Sequence, residues 1–203
     1  MGAKAGLVFL GDGLPADALR AGFDPDPERS AELAGVVLGG PVERDGTRVL
    51  AEGGVWPEAG VICVAAWKSF ALIGYRELCP DRPSGIGDWI RAVSPTGGAH
   101  GAFMHSAVDF GAFAVWESGA LRRSVSLAPD AGIIEDVGDR YPFENPFWDG
   151  RHHHDPDYPL PFHPLTFAEA ALLMLFGFGI EQPRSAFTVD ADRIALPAFR
   201  LAE

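Results

Sequence analysis

The sequence predicts an α+β fold, in which a mostly antiparallel central sheet of about seven strands carries helices packed mainly on one face. The main observation is a β-hairpin signal: residues 108–116 form an apolar run, Ser118 and Gly119 form a turn, and residues 120–128 alternate. Short apolar runs also recur between turns along the chain, whose 203 residues include 25 Gly and 17 Pro. We therefore expect a single α+β domain over residues 1–203.

The register of this hairpin follows from its two-residue turn. Glu117 faces Ala120, and each step back along one strand pairs with one step forward along the other. One face is then largely apolar and comprises Phe110, Ala112, Ala114, Trp116, Leu121, Arg123, Val125 and Leu127. The other face is mixed and includes Asp109 and Ser126, with His105 added if the first strand continues back without a break. A mixed face is ordinarily solvated, so a surface role and a functional role both stay open.

The first half of the chain alternates strands and helices. Residues 3–10 are nearly all apolar, which is typical of a strand covered on both faces, and we expect this strand to be central. A glycine turn follows and leads into a helix over residues 14–22, where Asp12 either caps the helix or belongs to an anion-binding turn. The elements expected next are a helix over residues 26–39, a small hairpin around residues 45–46, strands over residues 61–67 and 70–77, and a short helix that opens at residues 82–84.

The second half contains a proline- and aromatic-rich excursion, residues 140–164, with the motifs PFENPFW, HHH and YPLPFHPL. Segments of this length inside a compact domain are functional or wrap the surface, and the aromatic residues favour wrapping. Thr166 and Glu169 are then spaced as a capping box at the start of the clearest helix. The tail, residues 187–199, predicts at most an edge strand.

Charge and composition argue against several classes of protein. The net charge is −12 and no window concentrates Lys or Arg, so we expect no nucleic-acid partner. The longest apolar run, residues 168–180, is shorter than the roughly 18 residues of a membrane-spanning helix, and the first residues make a poor secretory signal. We expect a soluble cytoplasmic protein without a membrane partner. Cys63 and Cys79 define neither a disulfide framework nor a zinc site, and we expect both to be buried packing residues.

Seven side chains are candidates for binding or chemistry. His105 and Asp109 suggest a general base and its orienter, although four residues of unbroken strand would separate them by roughly 13 Å unless a bulge at residues 106–107 intervenes. Glu135 and Glu144 are further catalytic candidates, which suit acid–base chemistry if the fold brings carboxylates together. The candidate ligand-binding residues are Asp12, Ser126 and His163.

The histidine run is the most obvious group of potential metal ligands. His152, His153 and His154 are followed closely by Asp155 and Asp157. Adjacent side chains point in different directions, however, and the spacing matches none of the usual metal-binding signatures. We therefore expect an exposed loop here, with no metal site and no cofactor.

Several motifs are shared with a known family. They are MGAK (1–4), DRPS (81–84), MHSAVDFGAFAVW (104–116), RSVSLAPDAGIIEDVG (123–138), PFENPFW (142–148), YPLPFHPL (158–165) and LFGF (175–178). In these motifs the chain resembles a family of small actinobacterial proteins of unknown function that begin with Met-Gly-Ala-Lys. The resemblance covers most of the chain and implies a bacterial cytosolic setting, and it implies no reaction type.

Two classes of function are compatible with the sequence. The acidic composition, the missing catalytic signature and the aromatic excursion favour a non-catalytic accessory or binding protein, with a protein or a small molecule as partner. The alternative is a small-molecule enzyme with hydrolase-like acid–base chemistry, which would use His105 and Asp109 or a pair of carboxylates.

Overall fold

The computed structural model describes residues 2–22, 24–152 and 157–202. The strands are β1 (Lys4–Leu10), β2 (Val42–Val49), β3 (Ile62–Ala66), β4 (Ala71–Gly74), β5 (Ala99–His105), β6 (Phe110–Glu117), β7 (Ala120–Ala128), β8 (Gly132–Gly138) and β9 (Ala195–Leu201). The helices are α1 (Pro15–Ala21), α2 (Pro27–Leu38), α3 (Gly87–Val93), α4 (Asn145–Trp148) and α5 (Pro164–Phe176). Short 3₁₀ segments lie at Pro83–Ile86, Pro142–Glu144, Arg184–Ala186 and Ala191–Arg193, and a π-helical turn lies at Leu50–Gly54.

All nine strands belong to one antiparallel sheet with the order β2-β9-β3-β4-β1-β5-β6-β7-β8. The mixed α and β composition and the antiparallel sheet are confirmed. The described residues contain nine strands, however, where about seven were predicted. β1 is the fifth strand of the nine, as expected for a strand that is apolar on both sides.

The prediction that helices pack mainly on one face is wrong, because helices cover both faces of the sheet. Leu7 and Phe9 of β1 join the core that includes α1 and α5, and we call this side the α5 face. Val8 and Leu10 point the other way and join the core that includes α2 and α3, the α2 face. A strand with apolar residues on both sides needs two cores to bury them.

The hairpin of β6 and β7 is confirmed, but its predicted register holds only beside the turn. Ser118 and Gly119 have φ values of 50° and 78°, as a type I′ turn requires, and the first two pairs are those predicted. Arg122 then forms a bulge, so that Val115 pairs with Arg123 instead of Arg122.

The bulge moves Arg123 and Val125 from the predicted apolar face of the hairpin to the α5 face. There the fully buried guanidinium of Arg123 donates to Glu144, with 3.0 Å from Nε to Oε1 and 2.5 Å from Nη2 to Oε2. A buried charge needs such a partner, and the predicted register would have left Arg123 without it. Ser124 and Ser126 consequently lie on the α2 face, where both are fully buried.

The strand is not continuous through His105 and Asp109, which was one of the alternatives left open by the sequence. β5 ends at His105, residues 106–109 form a turn, and β6 begins at Phe110, which pairs with His105. Asp109 has a φ of 47°, a left-handed conformation that Asp adopts more readily than most residues.

The small hairpin predicted around Asp45 and Gly46 is also wrong. These residues form a bulge inside β2, between the pairs that Arg44 and Thr47 make with β9. β9 lies between β2 and β3, so the C-terminal strand is an interior strand and not the predicted edge. A partner 150 residues away in sequence therefore overrides a local turn signal.

The described parts of residues 140–164 place aromatic rings against α5. Phe147 and Phe162 are buried, and the ring centroids of Phe162 and Phe167 lie 4.9 Å apart. The segment thus contributes to the core of the α5 face as well as covering it.

Candidate functional site

His100, near the start of the buried strand β5, is a polar side chain that makes no hydrogen bond through its Nδ1 atom within the described residues. Its neighbours across the sheet are Phe9 on β1 and Val115 on β6, and its ring meets Phe9 edge-on with centroids 6.1 Å apart. The residue is only 8% exposed, and its Nδ1 atom is buried with no hydrogen-bond partner among the described residues. A buried polar atom of this kind lowers stability by about 1–3 kcal/mol, so such atoms are uncommon in folded proteins.

Burial keeps this imidazole neutral. It lowers the pKa of His100 to about 4, and the carboxylates of Glu117 and Asp12 only partly oppose this effect. A neutral imidazole has one N–H donor and one acceptor nitrogen. His100 can therefore pair with either a donor or an acceptor group of a bound molecule at neutral pH.

His100 lines a cavity of about 270 Å³ on the α5 face. The walls come from the turn after β1, the ends of β5 and β6, the 3₁₀ segment at Pro142–Glu144 and the end of α5. The lining residues are Gly11, Asp12, Gly13, Leu14, His100, Trp116, Glu117, Tyr141, Pro142, Phe143, Met174 and Leu175. A mostly apolar cavity with a few polar groups is the usual form of a small-molecule site, and this one is at the small end of the range.

A close backbone contact holds one side of the cavity in place. The Gly11 N–H donates to the Gly98 carbonyl at 2.8 Å, and a side chain at position 98 would put its Cβ 2.6 Å from the Gly11 carbonyl oxygen. Only glycine permits this approach. The same contact brings Thr96 to Asp12, whose Oδ1 accepts a hydrogen bond from the Thr96 hydroxyl at 2.9 Å.

Tyr141 and Phe143 form the opposite wall. Their rings are nearly parallel, with centroids 6.4 Å apart. Burial raises the pKa of Tyr141, and Glu117 and Glu144 act in the same direction, so its phenol stays protonated. The backbone of Tyr141 is held in place, because its N–H donates to the buried Glu144 carboxylate at 2.8 Å.

Among the predicted residues, Asp12 is the one that lies at this cavity. It does not cap α1, which begins at Pro15 after Leu14 and has no side-chain cap. The role predicted for Asp12 in ligand binding stays a prediction, and the structure supplies a cavity for it.

The structure does not bring His105 and Asp109 together as a pair. The His105 ring packs on Trp56 with centroids 5.3 Å apart, and its buried Nδ1 has no partner among the described residues. Asp109 instead lies beside His163, with 3.9 Å from Oδ1 to Nε2. Nδ1 of His163 accepts a hydrogen bond from the Leu165 N–H at 3.3 Å, so this histidine caps α5. Their catalytic and binding roles remain predictions.

Glu135 and Glu144 lie on opposite faces of the sheet and cannot act as a pair. Glu144 is paired with Arg123 on the α5 face. Glu135, on the α2 face, accepts hydrogen bonds from the hydroxyls of Ser84 and Ser124 and from the Ser84 N–H, the last at 3.1 Å. Both carboxylates are buried and occupied by structural partners.

Ser126 is similarly occupied, because its hydroxyl donates to the Asp81 carbonyl at 2.6 Å. Its predicted ligand-binding role would require this bond to break. In the ranges that the structure describes, no group of three or more His, Cys, Asp or Glu is placed to hold a metal ion. His153, His154 and Asp155 of the predicted histidine run lie outside those ranges.

The two cysteines are unpaired, and they differ in burial. Cys63 is buried as expected, whereas Cys79 is partly exposed. Burial raises the pKa of both thiols to about 12, so both are protonated and unreactive at neutral pH.

Comparison with known proteins gives a family. The sequence matches a family of unknown function, DUF6928, over residues 5–199. The chain belongs to this family. Searches of the curated proteins and of the solved structures found no match to this DUF6928 chain. No activity can therefore be transferred from a relative, and the function of this DUF6928 member has to be argued from its own residues.

Sequence reasoning missed His100, although a signal was present. The stretch AHGAFMH consists of small or apolar residues apart from its two histidines, and His100 shares a face of the strand with Ala102 and Met104, which are buried. A polar side chain in such a strand is either paired or functional. The sequence pattern does not separate residues 99–105 from the apolar run of β6, and this hides the strand that carries His100.

Proposed function

We propose that this protein binds a small molecule in the His100 cavity and is a binding protein without catalytic chemistry. The observation that carries this proposal is the neutral imidazole of His100, which is 8% exposed and lines a mostly apolar cavity. A bound molecule with one polar group and an apolar body would contact the part of the ring that reaches the cavity and would cover the apolar wall.

The arrangement favours binding over catalysis, because the carboxylates near His100 already accept hydrogen bonds within the protein. Glu144 is held by Arg123, and Asp12 accepts from Thr96. The residues that line the cavity, in the described part of the chain, include no Ser, Thr, Cys or Lys. The alternative of an enzyme that uses His105 and Asp109 has less support, since the Asp109 carboxylate lies beside His163.

The proposal also includes the cellular location of the protein and the class of its partner. The resemblance noted above supports an actinobacterial protein of the bacterial cytoplasm, and residues 1–203 would act as one domain. The net charge of −12 supports a partner that is a protein or a small molecule rather than a nucleic acid. Across the described ranges, each helix is too short or too polar to cross a lipid bilayer, and we propose no membrane partner.

A fragment screen by thermal unfolding tests the proposal. A fragment present at ten times its Kd should raise the free energy of unfolding by about 1.4 kcal/mol and Tm by about 3–6 °C. We expect these shifts to disappear in His100→Phe, which keeps an aromatic ring but removes both nitrogens.

The second variant is His105→Phe, because His105 also has a buried Nδ1 without a partner among the described residues but points to the α2 face. Loss of the shifts in His105→Phe, with retention in His100→Phe, would move the binding site to the Trp56 side. If the shifts persist in both variants, the ligand binds at neither histidine, and the proposal is contradicted.

A further inference from the structure

The charges at the opening of the cavity are negative. Asp12 lies in the turn that follows β1 and Glu117 ends β6, and both side chains are exposed. The residues that line the cavity, as the structure describes it, include neither Lys nor Arg. An anionic ligand would therefore meet repulsion here, and a cationic ligand would meet attraction.

Neither carboxylate is fully occupied by its partner in the protein. Asp12 uses Oδ1 for the Thr96 hydroxyl. Glu117 accepts from Nε of Arg122 at 2.9 Å, but both side chains are more than half exposed, at 59% and 56%. Such a surface pair contributes little to stability, so a ligand cation can share Glu117 at small cost.

The walls beside these charges are apolar and partly uncovered. Leu14 is 44% exposed and Met174 is 53% exposed, and both line the cavity. Met adapts its shape to different ligands because its side chain is flexible and polarisable. The rings of Tyr141 and Phe143 lie close to the same opening and can stabilise an ammonium through their π faces.

The charge of the whole chain acts in the same direction. With a net charge of −12, the protein attracts cations and repels anions over a distance of about one Debye length. Local and long-range electrostatics therefore select the same class of ligand.

We propose that the His100 cavity takes a small primary amine with an apolar or aromatic body. The ammonium lies beside Asp12 and Glu117, where it can also donate to the imidazole of His100, and the apolar body lies against Phe143 and Met174. This inference rests on the proposed function, because it names the ligand class of the same cavity.

Three probes with the same aromatic body test the ligand class: 2-phenylethylamine, 2-phenylethanol and phenylacetate. Their Kd values are measured by titration calorimetry on the full chain at about pH 7.5 in low salt. We expect the amine to bind about tenfold more tightly than the alcohol, and the carboxylate to bind more weakly than either. The advantage of the amine should shrink in high salt, because opposite charges are screened there.

Charge variants provide the matched comparison. Asp12→Asn and Glu117→Gln should each reduce the preference for amine over alcohol about threefold, because each weakens the binding of the charged amine more than that of the neutral alcohol. Asp130→Asn removes the same charge from an exposed turn at the other end of β7, and it should leave the preference unchanged.

The outcomes separate the two proposals. If the alcohol or the carboxylate binds as tightly as the amine, and His100→Phe abolishes their binding, the cavity is a site but the amine class is wrong. If none of the three probes binds, or if His100→Phe leaves all three Kd values unchanged, the cavity is not the site and both proposals fail.

Discussion

Replacing His100 with Phe should make the protein more stable, although most substitutions in a core lower stability. The variant removes a buried nitrogen that has no partner in the described structure, and the ring beside Phe9 is kept. Removing an unsatisfied buried polar group is worth about 1–3 kcal/mol. The larger Phe ring has room, because the cavity lies next to it.

The gain should increase in acid. The pKa of His100 is about 4 in the folded protein against an ordinary value of 6.5, because burial disfavours the imidazolium. Between these two values the unfolded chain binds more protons than the native protein, so the native wild type loses stability as the pH falls. From about pH 7.5 to about pH 4.5 this loss is on the order of 2–3 kcal/mol for one such group. Phe does not titrate, so the variant does not undergo this loss of stability.

Urea unfolding of the wild type and His100→Phe at about pH 7.5 and about pH 4.5 measures both effects. The difference between the two proteins cancels the contributions of all other titrating groups. We expect the variant to be more stable at the higher pH, and the difference to grow by roughly 2–3 kcal/mol at the lower pH. His100→Leu is a control in case the Phe ring is too large for the site. This variant also lacks the titrating group and should show the same pH dependence. An equal difference at both pH values would refute the argument that His100 is buried and neutral.

Three further predictions concern other parts of the fold. Glu144→Gln removes one of the two carboxylates that pair with the buried Arg123, the other being Asp136 at 2.6 Å, and should cost about 1–3 kcal/mol in urea unfolding, so a cost below about 0.5 kcal/mol would contradict the buried pair. Gly119→Val places a β-branched residue at a φ of 78° and should lower stability by about 1–3 kcal/mol, so an unchanged Tm would be inconsistent with the type I′ turn. Asp109→Asn should change stability by no more than about 0.5 kcal/mol, because the side chain is 43% exposed and lies 3.9 Å from His163. The Asp109→Asn variant should also bind ligand as the wild type does. If a stable Asp109→Asn variant loses binding, Asp109 is part of the binding site.

The sequence contained enough information for the central strand and the main hairpin, since both depend on local patterns. Residues 4–10 are apolar on both sides, and Ser118 with Gly119 defines one turn type. The register beyond the turn could not be predicted, because the bulge at Arg122 serves a pairing with Glu144, which follows more than twenty residues later. Long-range pairing of a buried charge leaves no local signal.

The same limit explains the other differences. Asp45 and Gly46 have the composition of a hairpin turn, but the C-terminal strand β9 pairs along the whole of β2 and turns them into a bulge. The candidate site depends on the turn after β1, on β5 and on α5, which are distant in sequence. Of its members the sequence singled out Asp12, and only the fold shows that Asp12 and His100 line one cavity.

The most direct test of the His100 cavity is a crystal structure of the protein soaked with 2-phenylethanol and, separately, with 2-phenylethylamine. The account predicts density for the aromatic ring between Phe143 and Met174, with a polar atom within about 3.2 Å of a ring nitrogen of His100 or of the Asp12 carboxylate. Density in another cleft, with the His100 cavity empty at saturating concentrations of both probes, would contradict it.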